Sequence, residues 1–131
     1  MKSQKKKAVI IIIIIIIIIV LLGAVFFGIH YNKHRFTTEK WLSAQENERV
    51  EIIDDLLSRL KIKKYKNGGI TRSEIHNMLG QPMEEYSVNE VDHDLEESYY
   101  VGYMGFMPID PYTLEMEYRD DKVTFWYLFE R

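Results

Sequence analysis

The chain has 131 residues, 17 basic and 20 acidic, a formal net charge of −3 and no cysteine. That length holds one compact domain plus a terminal segment, and the lack of cysteine excludes disulfides, thiolate metal sites, a cysteine nucleophile and a lipid-modified cysteine. Four lysines (Lys2, Lys5, Lys6, Lys7) precede an apolar run, whereas from His30 onward 13 basic residues face 20 acidic ones, a balance of −7, which argues against nucleic acid as the main partner because polyanion binding needs a net basic face.

Residues 8–29 are 22 positions without a charge, ten consecutive isoleucines among them. As a helix they extend about 33 Å at about 1.5 Å per residue, which matches a hydrocarbon core of about 30 Å. Isoleucine is a mediocre helix former in water, but a bilayer forces backbone groups to pair internally and so makes the segment helical there. A cleavable signal has a shorter apolar region ending in a small-x-small site. Here Leu21-Leu22-Gly23-Ala24 runs into Val25-Phe26-Phe27 and no such site follows. An uncleaved anchor is therefore expected: a basic tail at 1–7, a transmembrane helix at 8–29, a linker at 30–37 and a domain at 38–131. The four lysines outweigh Lys33 and Arg35 beyond the span, so the positive-inside rule puts the N-terminus in the cytoplasm and the domain in an extracytoplasmic space.

Residues 38–60 carry Val50, Ile53, Leu57 and Leu60 at helical spacing, widened by Ile52 and Leu56 into one apolar face. Ser43 and Glu46 fit a capping box, so the helix is expected to begin near Ser43. Arg59, Lys61, Lys63, Lys64 and Lys66 read as a solvated charge run favoured by the macrodipole at a helix end. The stretch GGITRSEIHNMLGQP at 68–82 then specifies a second, short helix over about 72–79. Thr71 is its N-cap, Glu74 completes the capping box, Ile70 and Ile75 form a hydrophobic staple, Gly80 closes the helix and Pro82 prevents continuation.

Beyond Pro82 the apolar period changes to two. Tyr86 and Val88, the tyrosine-rich 98–104, and Leu114, Met116 and Tyr118 read as strands, and Arg119-Asp120-Asp121-Lys122 reads as a hairpin turn into Val123, Phe125, Tyr127 and Phe129. Two helices followed by an antiparallel meander predict an α+β domain of two layers.

Asp92-His93-Asp94 invites a metal reading, since imidazole and carboxylates suit first-row divalent ions. Strand neighbours point to opposite faces and no second cluster is visible, so an acidic solvated loop is expected instead. Asp54-Asp55 and Glu96-Glu97 are paired carboxylates without a nucleophile or base beside them. No catalytic, cofactor or metal site is expected. Binding is better supported: residues 84–97 hold seven acidic and no basic residue, a patch able to steer a basic partner, and the 102–112 connection is unusually apolar. The candidate partner-binding residues are Tyr103, Phe106, Met107, Ile109, Tyr112, Glu96 and Glu97. The same loop could instead fold back over an open sheet edge.

The motif GITRSEIHNMLGQP resembles the signature of the SmpA/OmlA family of small envelope lipoproteins, with Gly69, Thr71, Ile75, Met78, Leu79, Gly80 and Pro82 falling on it. Tyr99-Tyr100, Leu114-Glu115-Met116-Glu117-Tyr118 and Asp121-Lys122-Val123 are similar to later parts of that pattern. The resemblance, over about residues 68–129, implies an ααβββ fold and a non-catalytic scaffold or interaction subunit of the cell envelope. A spanning helix replaces the family's lipid-bearing cysteine, and Trp41 with Arg49 is similar to the Trp-x7-Arg lead-in of membrane-anchored relatives. The expected function is a single-pass, extracytoplasmic module that binds another envelope protein. Its alternative is an inhibitor or immunity-type module that blocks a secreted enzyme through the acidic patch.

Overall fold

The computed structural model describes residues 2–106 and 109–131, and the chain divides between Lys33 and His34 into two compact units. The first unit consists of helix α1 (Lys2–His34) up to Lys33; no residue of α1 is buried, and it is long and apolar enough to cross a membrane. It is apolar on every side, as a helix solvated by lipid must be.

The second unit is α+β. Helices α2 (Thr38–Ser43), α3 (Glu48–Asn67) and α4 (Arg72–Leu79) precede strands β1 (Glu84–Ser87), β2 (Leu95–Gly102), β3 (Tyr112–Arg119) and β4 (Lys122–Glu130). The strands form one antiparallel sheet in the order β1-β2-β3-β4. The meander is as the period-two pattern predicts, and the 119–122 hairpin turns on Asp120 and Asp121, both at positive φ (50° and 62°). That is the conformation demanded by a tight hairpin whose twist matches its strands.

The single helix expected over 38–60 is two helices. Thr37, not Ser43, caps α2 by accepting a hydrogen bond from Lys40 N. The Ser43 hydroxyl donates to Glu39 O at 2.7 Å, and Glu46 takes a positive φ of 46°, so the Ser43-Glu46 capping box does not form. Asn47 then occupies the N-cap position of α3 without a side-chain cap, because its Oδ1 accepts from the Tyr103 amide at the end of β2. The two helices remain joined through Arg49. It stacks 4.3 Å from the Trp41 ring centroid and donates to Trp41 O and Tyr100 O, tying α2, α3 and β2 together.

Helix α4 spans the expected residues. Thr71 Oγ1 accepts from Glu74 N at 3.2 Å and Gly80 N donates to His76 O. The Glu74 carboxylate pairs with Lys63 at 3.4 Å. The core lies between the helices and one face of the sheet: Trp41, Ile53, Leu56, Leu60, Ile75 and Leu79 meet Tyr99, Val101, Leu114, Met116 and Tyr118, all essentially inaccessible.

Candidate functional site

Antiparallel register decides which side chains share the outer face of the sheet, the one turned away from the helices. Tyr86 pairs with Glu96, Glu96 with Glu117 and Glu117 with Phe125, so these four form one row across the strands. A second row runs Glu84, Ser98, Glu115, Tyr127, and a third is Tyr100, Thr113, Phe129. Residues directly opposite on one face are side-chain neighbours. The outer face therefore has a polar, acidic centre on β2 and β3 and an aromatic stripe on edge strand β4. Phe125 and Phe129 are 56% and 49% exposed, and the Phe125 and Tyr127 rings lie 5.8 Å apart.

The second row is internally satisfied. Arg131 bridges Glu84 at 2.7 Å and Glu115 at 3.4 Å, while Ser98 and Thr113 donate to the Glu115 carboxylate. The Glu84 hydrogen bond holds the Arg131 guanidinium strongly charged, and hydrogen bonds from Tyr86 and Arg131 keep the Glu84 carboxyl below its ordinary range.

The first row is organised around His93, which is 6% exposed. The connection carrying it closes over the ends of β2 and β3 through Val88 N to Asp94 O and Asp94 N to Tyr118 O. Its Nε2 lies 2.7 Å from Glu96 Oε1, and its Nδ1 lies 2.8 Å from Asp92 Oδ1 and 3.6 Å from Glu117 Oε2. The hydrogen bond to Glu96, aided by Asp92 and Glu117 and opposed by burial, raises the His93 pKa. Burial raises that of Glu117, while the hydrogen bond from His93 lowers that of Asp92. The donor atoms of Asp92, His93 and Glu117 all lie within 4.8 Å of one another. The expected solvated loop is thus a buried imidazole among three carboxylates.

Comparison with family models, curated proteins and solved structures returns no match.

The residues expected to bind a partner separate. Phe106 is fully exposed, Ile109 is 80% exposed and Tyr103 is also exposed, so the described part of the 102–112 connection does not fold back to bury them. Met107 lies outside the described residues. Met104 and Tyr112 pack against the core, and the Tyr112 hydroxyl donates to Glu130 at 3.3 Å.

The acidic patch is only partly a free surface: Glu85, Glu90, Asp92 and Asp94 are exposed. Glu96 is spent on His93, and Glu97, which is fully buried, must be corrected to an interior group. Its carboxylate accepts from His76 Nε2 at 2.8 Å and from Arg72 at 3.1 Å, and Arg72 also reaches Glu85 at 3.0 Å. Arg72 and His76 line a cleft of about 440 Å³ with Asp120 and Lys122, yet both turn their polar atoms to Glu97.

Two features escaped the sequence reading. The β4 stripe was visible as alternation, but Trp126 and Leu128 are equally apolar, and only packing shows that these two face the core while Phe125, Tyr127 and Phe129 do not. The Glu117 partner of His93 depends on the β2–β3 register across a long connection, whose Gly105, Pro108 and Asp110-Pro111 mark a loop without fixing which residues then pair.

Proposed function

We propose that the protein is a single-pass, non-catalytic interaction module of the cell envelope, related to the SmpA/OmlA type, with α1 as a permanent anchor, an N-terminus in the cytoplasm and the α+β unit outside it. The partner is another envelope protein that contributes an extended, apolar segment bearing basic residues as a further strand beside β4. The observation that carries this reading is the exposed stripe Phe125, Tyr127 and Phe129 on an edge strand. Edge strands present unpaired N–H and C=O groups that soluble proteins ordinarily blunt with charge, proline or a covering segment, and strand addition uses those groups for affinity and alternate side chains for specificity. Among the described residues, backbone pairing on the outer side of β4 occurs at its start, where Thr71 bridges Lys122 and Val123 N donates to Ile70 O. The net negative charge from His30 onward favours a basic segment.

Site-specific photocrosslinking in intact cells tests the reading. A crosslinker at Thr124 or Phe129 is expected to capture one defined partner band that a crosslinker at Lys61 of α3 does not. Phe125→Ser with Phe129→Ser should remove that band while shifting the melting temperature of the detergent-solubilised chain by less than about 4 °C, the equivalent of about 1 kcal/mol or less. Equal capture from both faces, or loss of the band together with cooperative unfolding, refutes it.

A further inference from the structure

We infer that Asp92, His93 and Glu117 form a binding site for one first-row divalent cation, such as Mn²⁺ or Zn²⁺, with Glu96 as the outer carboxylate that fixes the imidazole.

The inference starts from register. Glu96 and Glu117 are direct cross-strand neighbours on the outer face, and like charges placed directly opposite are destabilising. His93 lies between them with each ring nitrogen turned to carboxylate oxygen. A carboxylate only accepts, so Nε2 must carry the proton donated to Glu96 at 2.7 Å. In the neutral ring the Nδ1 lone pair then points at Asp92 Oδ1 and Glu117 Oε2, which also carry lone pairs. The three groups bring two carboxylate oxygens and a ring nitrogen within 4.8 Å of one another, a place where a proton on Nδ1 or a bound cation relieves their repulsion.

A proton on Nδ1 answers this incompletely. It can be donated to Asp92 at 2.8 Å, but not also to Glu117 at 3.6 Å. A divalent ion accepts all three lone pairs. With metal–ligand distances of about 2.0–2.2 Å, donors around one ion lie about 3.0–3.5 Å apart, so on binding the 2.8 Å separation between Nδ1 and Asp92 has to open and the 3.6 Å separation from Glu117 to close slightly. Glu96 on the far nitrogen is the carboxylate–histidine–metal arrangement that fixes tautomer and ring orientation. One imidazole with two carboxylates is a mixed N/O set, suited to first-row ions more than to Ca²⁺ or Mg²⁺.

Charge agrees. Asp92, Glu96 and Glu117 face the ring, Glu90 adds to them, and Arg119, whose Nη1 donates to Val91 O, is the nearby cation. Asp92 is largely exposed, which leaves room for water to complete the shell. The site differs from a surface acidic cluster in its imidazole, which is more than nine-tenths buried.

The test uses the full chain in detergent micelles, untagged, stripped with EDTA and carrying His30→Gln and His34→Gln to remove the other histidine pair. Titration with Mn²⁺ followed by electron paramagnetic resonance is expected to show one bound ion per chain with electron spin echo modulation from a single imidazole nitrogen. His93→Gln should abolish that modulation. Glu96→Gln should retain it with affinity reduced about 10–100-fold, as outer-sphere changes do. Asp92→Asn, at an exposed position, should weaken binding in a chain that still unfolds cooperatively, which keeps the result readable if His93→Gln misfolds. Zn²⁺ should compete for the same site and Ca²⁺ should not. Absence of a stoichiometric Mn²⁺ signal, or a signal without nitrogen modulation that survives Asp92→Asn, overturns the inference and leaves an imidazolium held by its carboxylates.

Discussion

At the scale of residues, two pairs of glutamates face each other across strands of the sheet, one pair on each face, and each is held by a basic neighbour. Glu96 and Glu117 share His93 on the outer face; Glu85 and Glu97 share Arg72 on the inner one. The inner pair is the more demanding, because Glu97 is completely buried, and a buried carboxylate persists only when paired and hydrogen-bonded. The hydrogen bond that Arg72 donates to Glu97, opposed by desolvation, raises the Arg72 pKa. Replacing Arg72 with methionine would leave Glu97 with His76 alone. The expected loss is about 2–3 kcal/mol, below the about 3–5 kcal/mol that breaking a fully buried pair costs, because His76 remains and Arg72 is itself partly exposed. In a Glu97→Gln background the same substitution should cost less than about 1 kcal/mol, since a neutral amide needs no counter-charge. Denaturant unfolding of the four members of this cycle measures the coupling directly. Equal costs in both backgrounds would show that Arg72 acts by packing and that the ion pair contributes nothing.

At the scale of elements, the approach of α4 to α2 and the approach of β2 to α3 are each set by a glycine, and the two differ in tolerance. Gly80 ends α4 at φ +77°, and a Cβ there would meet Leu42 Cδ2 at 2.8 Å. Gly102 ends β2 at φ +138°, and a Cβ there would meet Asn47 Oδ1 at 2.6 Å, Val50 Cγ2 at 3.1 Å and Asn47 Cα at 3.3 Å. Leu42 is exposed and can swing into solvent, whereas Asn47 is fixed by its bond to the Tyr103 amide and by the start of α3. Gly80→Ala is therefore expected to cost about 1–2 kcal/mol, the strain of a backbone conformation (φ 77°, ψ −158°) that glycine alone adopts readily, and Gly102→Ala about 3 kcal/mol or more, with backbone strain and lost helix–sheet contact together. Thermal unfolding that ranks the two in the opposite order would show that the α3–β2 approach is looser than the contacts indicate. The same elements show what the sequence could and could not express. Helix α4 was legible to the residue because its signals are local: Thr71 and Gly80 act within one or two turns of the positions they specify, although the Glu74 carboxylate pairs with Lys63 and leaves the capping box half made. The α2–α3 break was not, because Ser43 and Glu46 form an equally good local signal. What defeats it is the bond from Tyr103, 56 positions away from Asn47, a tertiary partner that local pattern does not contain. For the same reason the strands were legible but the faces of β4 were not, and Glu97, one of seven acids in a row of fourteen, could not be told apart from its exposed neighbours.

At the scale of the whole molecule, α1 and the α+β unit follow opposite rules of solvation. In the α+β unit apolar side chains converge inward; in α1 the isoleucines are exposed all round, at about half or more of their full surface. Removing a large apolar side chain from water is worth about 1.5–3 kcal/mol, so ten isoleucines together favour transfer into an apolar phase by more than the stability of an ordinary folded domain. Insertion does not fix direction, because the helix is apolar on every face and along the whole run. Direction has to come from the flanking charges: Lys2, Lys5, Lys6 and Lys7 on one side, Lys33 and Arg35 on the other. The surplus is two positive charges, a margin small enough to invert. Changing Lys5, Lys6 and Lys7 to glutamine leaves Lys2 against Lys33 and Arg35, and the positive-inside rule then favours the opposite orientation. In intact cells protease should remove the α+β unit from the parent chain and should spare more than half of it in the triple variant, with both chains resisting extraction at high pH. If the unit is equally accessible in both, the lysines do not set the orientation and the proposed topology fails. If alkaline extraction releases the parent chain at a mass lacking α1, the helix is an export signal and the domain works untethered.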